Sequence, residues 1–357
     1  MNQSNLISWT PLKLQSQLQE KIWGGDGLYR ILKKGNSQDT NMGEAWELSD
    51  RQGWESKVQE GAFQGRDLKS LLQEFPEAIL GTPSGSNFSK ITFPLLYKFI
   101  YAREALSVQV HPGDNSPLGE AKTEAWYIVY APPSAKLIVG LKPGYTPEET
   151  VRILQSKDCE KVLQQVEVKA GDMLFIPAGT VHAITAGLLI YEVQQNSDTT
   201  FRLYDWGRVD AQGKPRDLHV KESAQVIDFT LPNQNKISPL CIEHTTHTEN
   251  YLVACPYFAL IKYSALTKLI VLPFISKFKV LTCMRGHFQL SGFGDIMELK
   301  IGDTILIPAI CENIFLKAVE TGSEIVLSIV PDLENDVYAP LKKAHYSEQQ
   351  IQALGIF

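Results

Sequence analysis

From about residue 90 onward, short apolar runs alternate with Gly, Pro, Asn and Asp, the pattern of short strands joined by tight turns. Strands are predicted over Ala105–Val110, Ala125–Tyr130, Lys136–Leu141, Met173–Ile176, Leu188–Gln194, Phe278–Cys283 and Thr304–Ile307. Helical periodicity is sparse. Arg66–Leu80 places Leu68, Leu71, Leu72 and Phe75 on one face. Thr146–Gln165 opens with Thr-Pro-Glu-Glu, an N-cap followed by Pro and two acids at the positive end of a helix dipole. A further helix is predicted around Ser347–Leu354. Many short strands with few short helices indicate a mainly β fold, a sandwich or barrel rather than a doubly wound α/β sheet.

Two segments resemble each other. Ala170–Ala178 reads AGDMLFIPA and Ile301–Ala309 reads IGDTILIPA, with Gly171 and Gly302 131 residues apart. Each is a Gly-Asp turn, an apolar strand and a Pro that ends the strand. The repeat indicates two related β-domains, in keeping with 357 residues. The polar, Pro-containing stretch Leu231–Asn250 reads as the boundary between domains 1–235 and 236–357.

Hydrophobic residues at 44% and charged residues at 21% exclude wholesale disorder. Lys+Arg total 34 against Asp+Glu 40, a net charge of −6, and no basic run occurs, so nucleic acid is not an expected partner. The N-terminal stretch lacks an apolar signal core. Apolar runs such as Leu269–Ile275 fall short of the ~20 residues that cross a bilayer, so no membrane association is expected. Five cysteines without a CxxC pattern read as free thiols in a reducing cytoplasm. Nothing demands an oligomer, and a monomer is expected.

Chemistry concentrates in Leu106–Asp114, LSVQVHPGD. On a strand, Ser107, Gln109 and His111 point one way and Val108 and Val110 the other. Three polar side chains aimed into a β-domain need partners, because leaving each unsatisfied costs ~1–3 kcal/mol. Lys122 and Glu124 follow a Gly/Asn/Pro-rich loop, and a hairpin return there brings Glu124 beside His111. In GDMLFIPAGTVH, a Pro-x-Gly turn aims His182 inward. Gln109, His111, Glu124 and His182 supply two nitrogens and two oxygens, a set suited to Zn²⁺ or another divalent first-row ion. His219, His244, His247, His287 and His345 read as surface or structural. His244 and His247 (HTTH) fall in the expected linker without carboxylate support, so solvent exposure is expected for them.

Gly171, Pro177, Gly179 and His182 fit the second cupin signature, G-x5-P-x-G-x2-H. The first signature occurs in altered form as Gln109-Val-His111 followed by Glu124, which resembles class I mannose-6-phosphate isomerases of the short bacterial type. KIWGG (21–25), GEAWELS (43–49), FPLLYKFI (93–100) and NSDTTFRLYDWGR (196–208) are similar to the same family. The resemblance implies a double cupin (two jelly-roll β-barrels) with one Zn²⁺ per chain held by Gln109, His111, Glu124 and His182. It also implies a sugar-phosphate substrate, and a cleft lined by Arg202, Lys122, Ser107, Glu192 and Asp198. Arg208 stands where the family often carries Lys, keeping charge but changing hydrogen-bond geometry. Asn313 aligns with His182 and no Gln-x-His precedes it, so the C-terminal domain is expected to lack metal ligands.

The implied reaction interconverts mannose 6-phosphate and fructose 6-phosphate by moving a proton between C1 and C2 through a cis-enediol. Arg202 and Lys122 are the expected cations. Glu192, a metal-bound water and His111 are the candidate bases, with a Glu192–Arg202 salt bridge as the structural alternative for Glu192. Trp46 and Trp126 read as core. A non-catalytic sugar-binding cupin and a metal-dependent cupin dioxygenase are the rival functions.

Overall fold

A computed structural model describes residues 8–81, 91–156, 158–210, 212–231, 236–273 and 276–356. Residues 232–235 of the expected linker, 274–275 of the Leu269–Ile275 run and 157 of the 146–165 segment lie outside these. The chain divides into two compact units, one from Met1–Gln17, Trp46–Leu96 and Ser238–Phe357, the other from Leu18–Ala45 and Tyr97–Ile237.

The first unit is β-rich. A seven-stranded sheet runs in the order Leu12–Lys13, Thr304–Ile307, Lys279–Arg285, Glu324–Ile329, Ala259–Ser264, Thr248–Ala254, Leu240–Glu243, with a second sheet of four strands. Its helical part is shorter than the 66–80 periodicity predicts. Asp67 caps Leu68–Glu74 by accepting from the Ser70 N–H. The helix breaks at Phe75, and Pro76 starts a separate turn, Pro76–Leu80. Trp46 is buried and packs on Trp54. The segment expected to be a linker holds a β-hairpin, Leu240–Glu243 with Thr248–Ala254.

In the second unit, the sheet Phe201–Tyr204, Val108–Val110, His182–Ala183, Lys136–Leu141, Leu163–Glu167 faces a larger one centred on Met173–Ile176, Glu124–Tyr130 and Leu189–Gln195. Trp126, Ile128, Leu174, Ile176 and Ile190 from the larger sheet meet Leu137 and Val139 from the smaller in one core. The other face of the smaller sheet (Val108, Val110, Ile138, Ala183, Leu203) packs under Leu154, Cys159 and Ile227. The helix predicted over 146–165 is therefore too long. It has the expected Thr146 N-cap, which closes a capping box with Glu149, but stops at Leu154, and the later apolar residues serve a one-turn helix, Cys159–Lys161, and the strand Leu163–Glu167.

The internal repeat is structural. Gly171 and Gly302 both adopt positive φ, 91° and 85°. Each donates 2.8 Å to a preceding strand, at Ile128 O and Cys283 O respectively. Asp172 and Asp303 each accept from the backbone N–H three residues before them, Lys169 and Lys300. The same turn thus launches, in each unit, a strand one place in from a two-residue edge strand. No helix among the described residues is long and apolar enough to cross a membrane.

Candidate active site and metal centre

Register aligns the polar face. Gln109 pairs with His182 on one side and with Arg202 on the other, so three functional side chains form one row across the smaller sheet. The flanking Val108 and Val110 face the helix-covered core, which fixes the strand's sense because a slip of one residue would bury Gln109 and His111 there instead. His182 is aimed by the Pro-Ala-Gly turn. Gly179 has φ 87°, and a Cβ there would sit 2.8 Å from Asp228 Cβ, so a side chain is excluded on both counts. Glu124 opens the central strand of the opposing sheet, and the loop before it is held by Lys122 N–H donating to Pro112 O at 3.0 Å.

These elements bring His111, Glu124 and His182 together in full burial. His182 Nε2 lies 3.3 Å from Glu124 Oε1, and His111 Nε2 lies 3.6 Å from Glu124 Oε2. Both imidazoles donate Nδ1–H to backbone carbonyls, His111 to Thr199 O and His182 to Thr180 O, each at 2.9 Å. That tautomer leaves both Nε2 atoms as lone-pair donors. Their neighbours agree: the Gln109 amide donates to His182 Nε2 and the Lys122 ammonium to His111 Nε2, both at 3.2 Å. Burial, with help from Lys122, holds the His111 pKa well below the ordinary range, and burial lowers that of His182 to about 4.

Lone pairs therefore converge on a buried carboxylate whose Oε1 has no hydrogen-bond donor. Acceptors facing acceptors at 3.3 Å repel unless a cation lies between them. Tetrahedral ligands bonded at about 2.0–2.1 Å sit about 3.3 Å apart, which is the spacing found here. Turning over the Gln109 amide presents a fourth donor, an oxygen. The residues fit a divalent metal. Lys122 Nζ, 2.7 Å from Glu124 Oε2, supplies positive charge at its edge. Burial alone would lower the Lys122 pKa, but Glu124, Glu192 and Asp198 outweigh it and hold it raised.

Gln109 and Lys122 also line a cleft of about 310 Å³ that contains Ser107, Glu192, Asp198 and Arg202. Five cations (Lys21, Lys98, Lys122, Arg202, Arg216) line it against three acids (Glu44, Glu192, Asp198). Ser107 Oγ donates to Gln109 Oε1 at 3.3 Å. Glu192 is buried and accepts from Trp126 Nε1 at 2.9 Å, and its ion-pair partner is Lys98 at 3.6 Å rather than Arg202. Burial and the nearby Glu124 raise the Glu192 pKa against the pull of Lys122 and Lys98. Trp126 belongs to the core, as expected.

Arg202 makes no ion pair among the described residues. Its Nη1 donates to Asp217 O at 2.8 Å, while its buried Nε has no acceptor. Arg208 is not brought into the cleft lining. It pairs with Asp205 and donates to Ala105 O at 2.6 Å. The sequence reading missed Lys98, although it is the only charge in the apolar strand Leu95–Tyr101, which is a legible signal. It also missed Arg216, whose pairing with Asp205 beside the cleft depends on a fold-back that no local pattern announces.

Residues 12–131 match the family model of the phosphomannose isomerase type I catalytic domain. The chain is 37% identical over 306 residues to mannose-6-phosphate isomerase ManA of Bacillus subtilis, spanning 84% of this chain and 93% of that protein. A Streptococcus mutans mannose-6-phosphate isomerase is 33% identical over 302 residues, 84% of this chain and 92% of its own length. The crystal structure of the Bacillus subtilis mannose 6-phosphate isomerase matches with a TM-score of 0.81 at 28% identity, over 90% of this chain and 100% of that one. The mainly β cupin architecture expected from the sequence is the architecture observed. The chain belongs to the type I mannose-6-phosphate isomerase family.

Proposed function

We propose that this chain is a zinc-dependent aldose–ketose isomerase interconverting mannose 6-phosphate and fructose 6-phosphate through a cis-enediol. The observation that carries this reading is the buried His111–Glu124–His182 set, its lone pairs facing one another at the edge of a predominantly cationic cleft. Gln109, His111, Glu124 and His182 would hold one Zn²⁺. Bound there, the ion acts as a Lewis acid toward the substrate's carbonyl and hydroxyl oxygens.

The chain's own groups do the rest. In the aldose-to-ketose direction Glu192 takes the proton from C2 and returns it to C1 while the O2 hydroxyl proton passes to O1, and the reverse direction runs the same transfers backward. Its raised pKa brings it closer to working pH, and Trp126 and Lys98 hold its carboxylate in place. His111 is a poor base in this arrangement because its free nitrogen is turned to Glu124 and Lys122. Arg202 presents a planar fork with an unsatisfied N–H, suited to the substrate's phosphate or to the developing enediolate oxygen. Lys122 adds positive charge beside the reacting oxygens. Ser107 and Asp198 orient sugar hydroxyls in the cleft.

The reading is tested by a coupled assay that follows fructose 6-phosphate formed from mannose 6-phosphate. Turnover with mannose 6-phosphate is expected. Tight binding without turnover would replace the isomerase by a sugar-phosphate-binding cupin.

A further inference from the structure

The expectation that His244 and His247 lack carboxylate support is corrected by the hairpin, which turns Glu249 toward both rings. Ile242 pairs with Glu249 and Glu243 with Thr248, and the turn between them closes with His244 N–H donating to His247 O at 2.9 Å. That register sets His244 and His247 opposite each other at the mouth of the hairpin. Glu249, two residues past His247, shares their face.

The two rings stack with centroids 4.4 Å apart at 11°, and both Nε2 atoms aim at the same carboxylate. His247 Nε2 is 3.3 Å from Glu249 Oε1 and His244 Nε2 is 3.6 Å from Oε2. All three donors fall within 4.8 Å of one another. His247 is held from behind, its Nδ1 lying 3.0 Å from Thr246 Oγ1 and its ring stacked on the buried Tyr263, which itself pairs with Glu249. With the Thr246 hydroxyl accepting from Nδ1–H, Nε2 keeps its lone pair for another partner.

Two stacked imidazoles with both Nε2 atoms beside one carboxylate make a nitrogen-rich donor set. Donors 3.3–3.6 Å apart match ligands bonded at about 2.0–2.1 Å to a tetrahedral ion, whose edges are about 3.3 Å. We infer that His244, His247 and Glu249 form a metal site, separate from the active site, that takes a late first-row divalent cation, with Zn²⁺ as its reference ligand. Imidazole nitrogens favour that class over Mg²⁺ or Ca²⁺. His244 is 40% exposed, so an ion reaches the site from solvent and keeps open coordination positions.

The test counts metal. Full-length protein is stripped with a chelator, dialysed against micromolar free Zn²⁺, and compared with the His244→Ala/His247→Ala double variant. The unaltered chain is expected to hold one zinc ion more than the variant, with isomerase turnover the same in both. Equal zinc content would overturn the assignment. Because the variant can lose the hairpin, Glu249→Gln provides a second reading and should weaken zinc binding at this site by about tenfold or more. Anomalous scattering from zinc-soaked crystals of the unaltered protein gives a third. A peak bonded to both Nε2 atoms and to Glu249 supports the site, and its absence there overturns it.

Discussion

Nε2 of His182 lies 3.3 Å from Oε1 of Glu124, although the two side chains rise from different sheets of the same unit. The His182 tautomer leaves a lone pair on Nε2 and Glu124 Oε1 has no hydrogen-bond donor, so positive charge close by favours the contact. The contact requires both a strand register that lifts His182 beside Gln109 and a central strand that begins at Glu124.

Glu124→Gln keeps the shape and removes the charge. Bound zinc should be lost, and turnover should fall by about a thousandfold, the several kcal/mol that a Lewis acid supplies. Metal analysis beside the coupled assay checks this, and a variant that keeps both zinc and turnover would contradict it.

Glu192→Gln should separate chemistry from metal binding. Zinc content is expected to be unchanged while kcat falls by about 10²- to 10⁴-fold. A base works deprotonated and the pKa of Glu192 is raised, so activity of the unaltered protein should decline as pH falls through a value above the ordinary Glu range. That acid limb should disappear from the residual activity of the variant. A persisting limb would move the base elsewhere.

Arg202→Met should lower kcat/KM by about 10- to 100-fold, the equivalent of losing a charged hydrogen bond of about 1.5–3 kcal/mol. Arg202→Lys should recover only part of it, since an ammonium keeps the charge but not the fork. Full recovery of activity in Arg202→Lys would assign Arg202 a purely electrostatic role.

Stability of the metal-free protein should depend on pH through the buried histidines. The folded-state pKa of His182 is about 4 against an ordinary 6.5, so between those values the unfolded chain holds a proton that the folded chain does not. The stabilising contribution is complete above 6.5 and declines as pH drops toward about 4, at up to about 1.4 kcal/mol per pH unit. His111 acts in the same direction. Urea unfolding of chelated protein at several pH values in that window should show the decline, and His182→Gln should make it shallower, leaving the His111 part. The same slope in both proteins would refute this source.

Much of the site is legible in the chain because it is built on period-two alternation. Val108 and Val110 reveal where Ser107, Gln109 and His111 must point, and the Gly-Asp turn before Met173 recurs before Thr304 with the same hydrogen bonds. What was missed depends on pairing between distant strands. Lys98 sits in an apolar strand, and only the fold shows that Glu192 faces it. Glu249 becomes a partner of His244 only across a hairpin. Arg208 looks equivalent to a cleft residue by its place after Asp-Trp-Gly, and its guanidinium is engaged by Asp205 and the Ala105 carbonyl. The 146–165 helix was overextended because Val162 and Leu163 continue an apolar pattern after the chain has turned into a strand.

The most direct measurement is turnover of mannose 6-phosphate to fructose 6-phosphate by the chelated protein before and after zinc is restored, with Glu124→Gln run beside it. Activity should vanish on chelation, return with about one equivalent of zinc, and fail to return in the variant. Undiminished turnover in fully metal-free protein would contradict the assignment of His111, Glu124 and His182 to a catalytic metal.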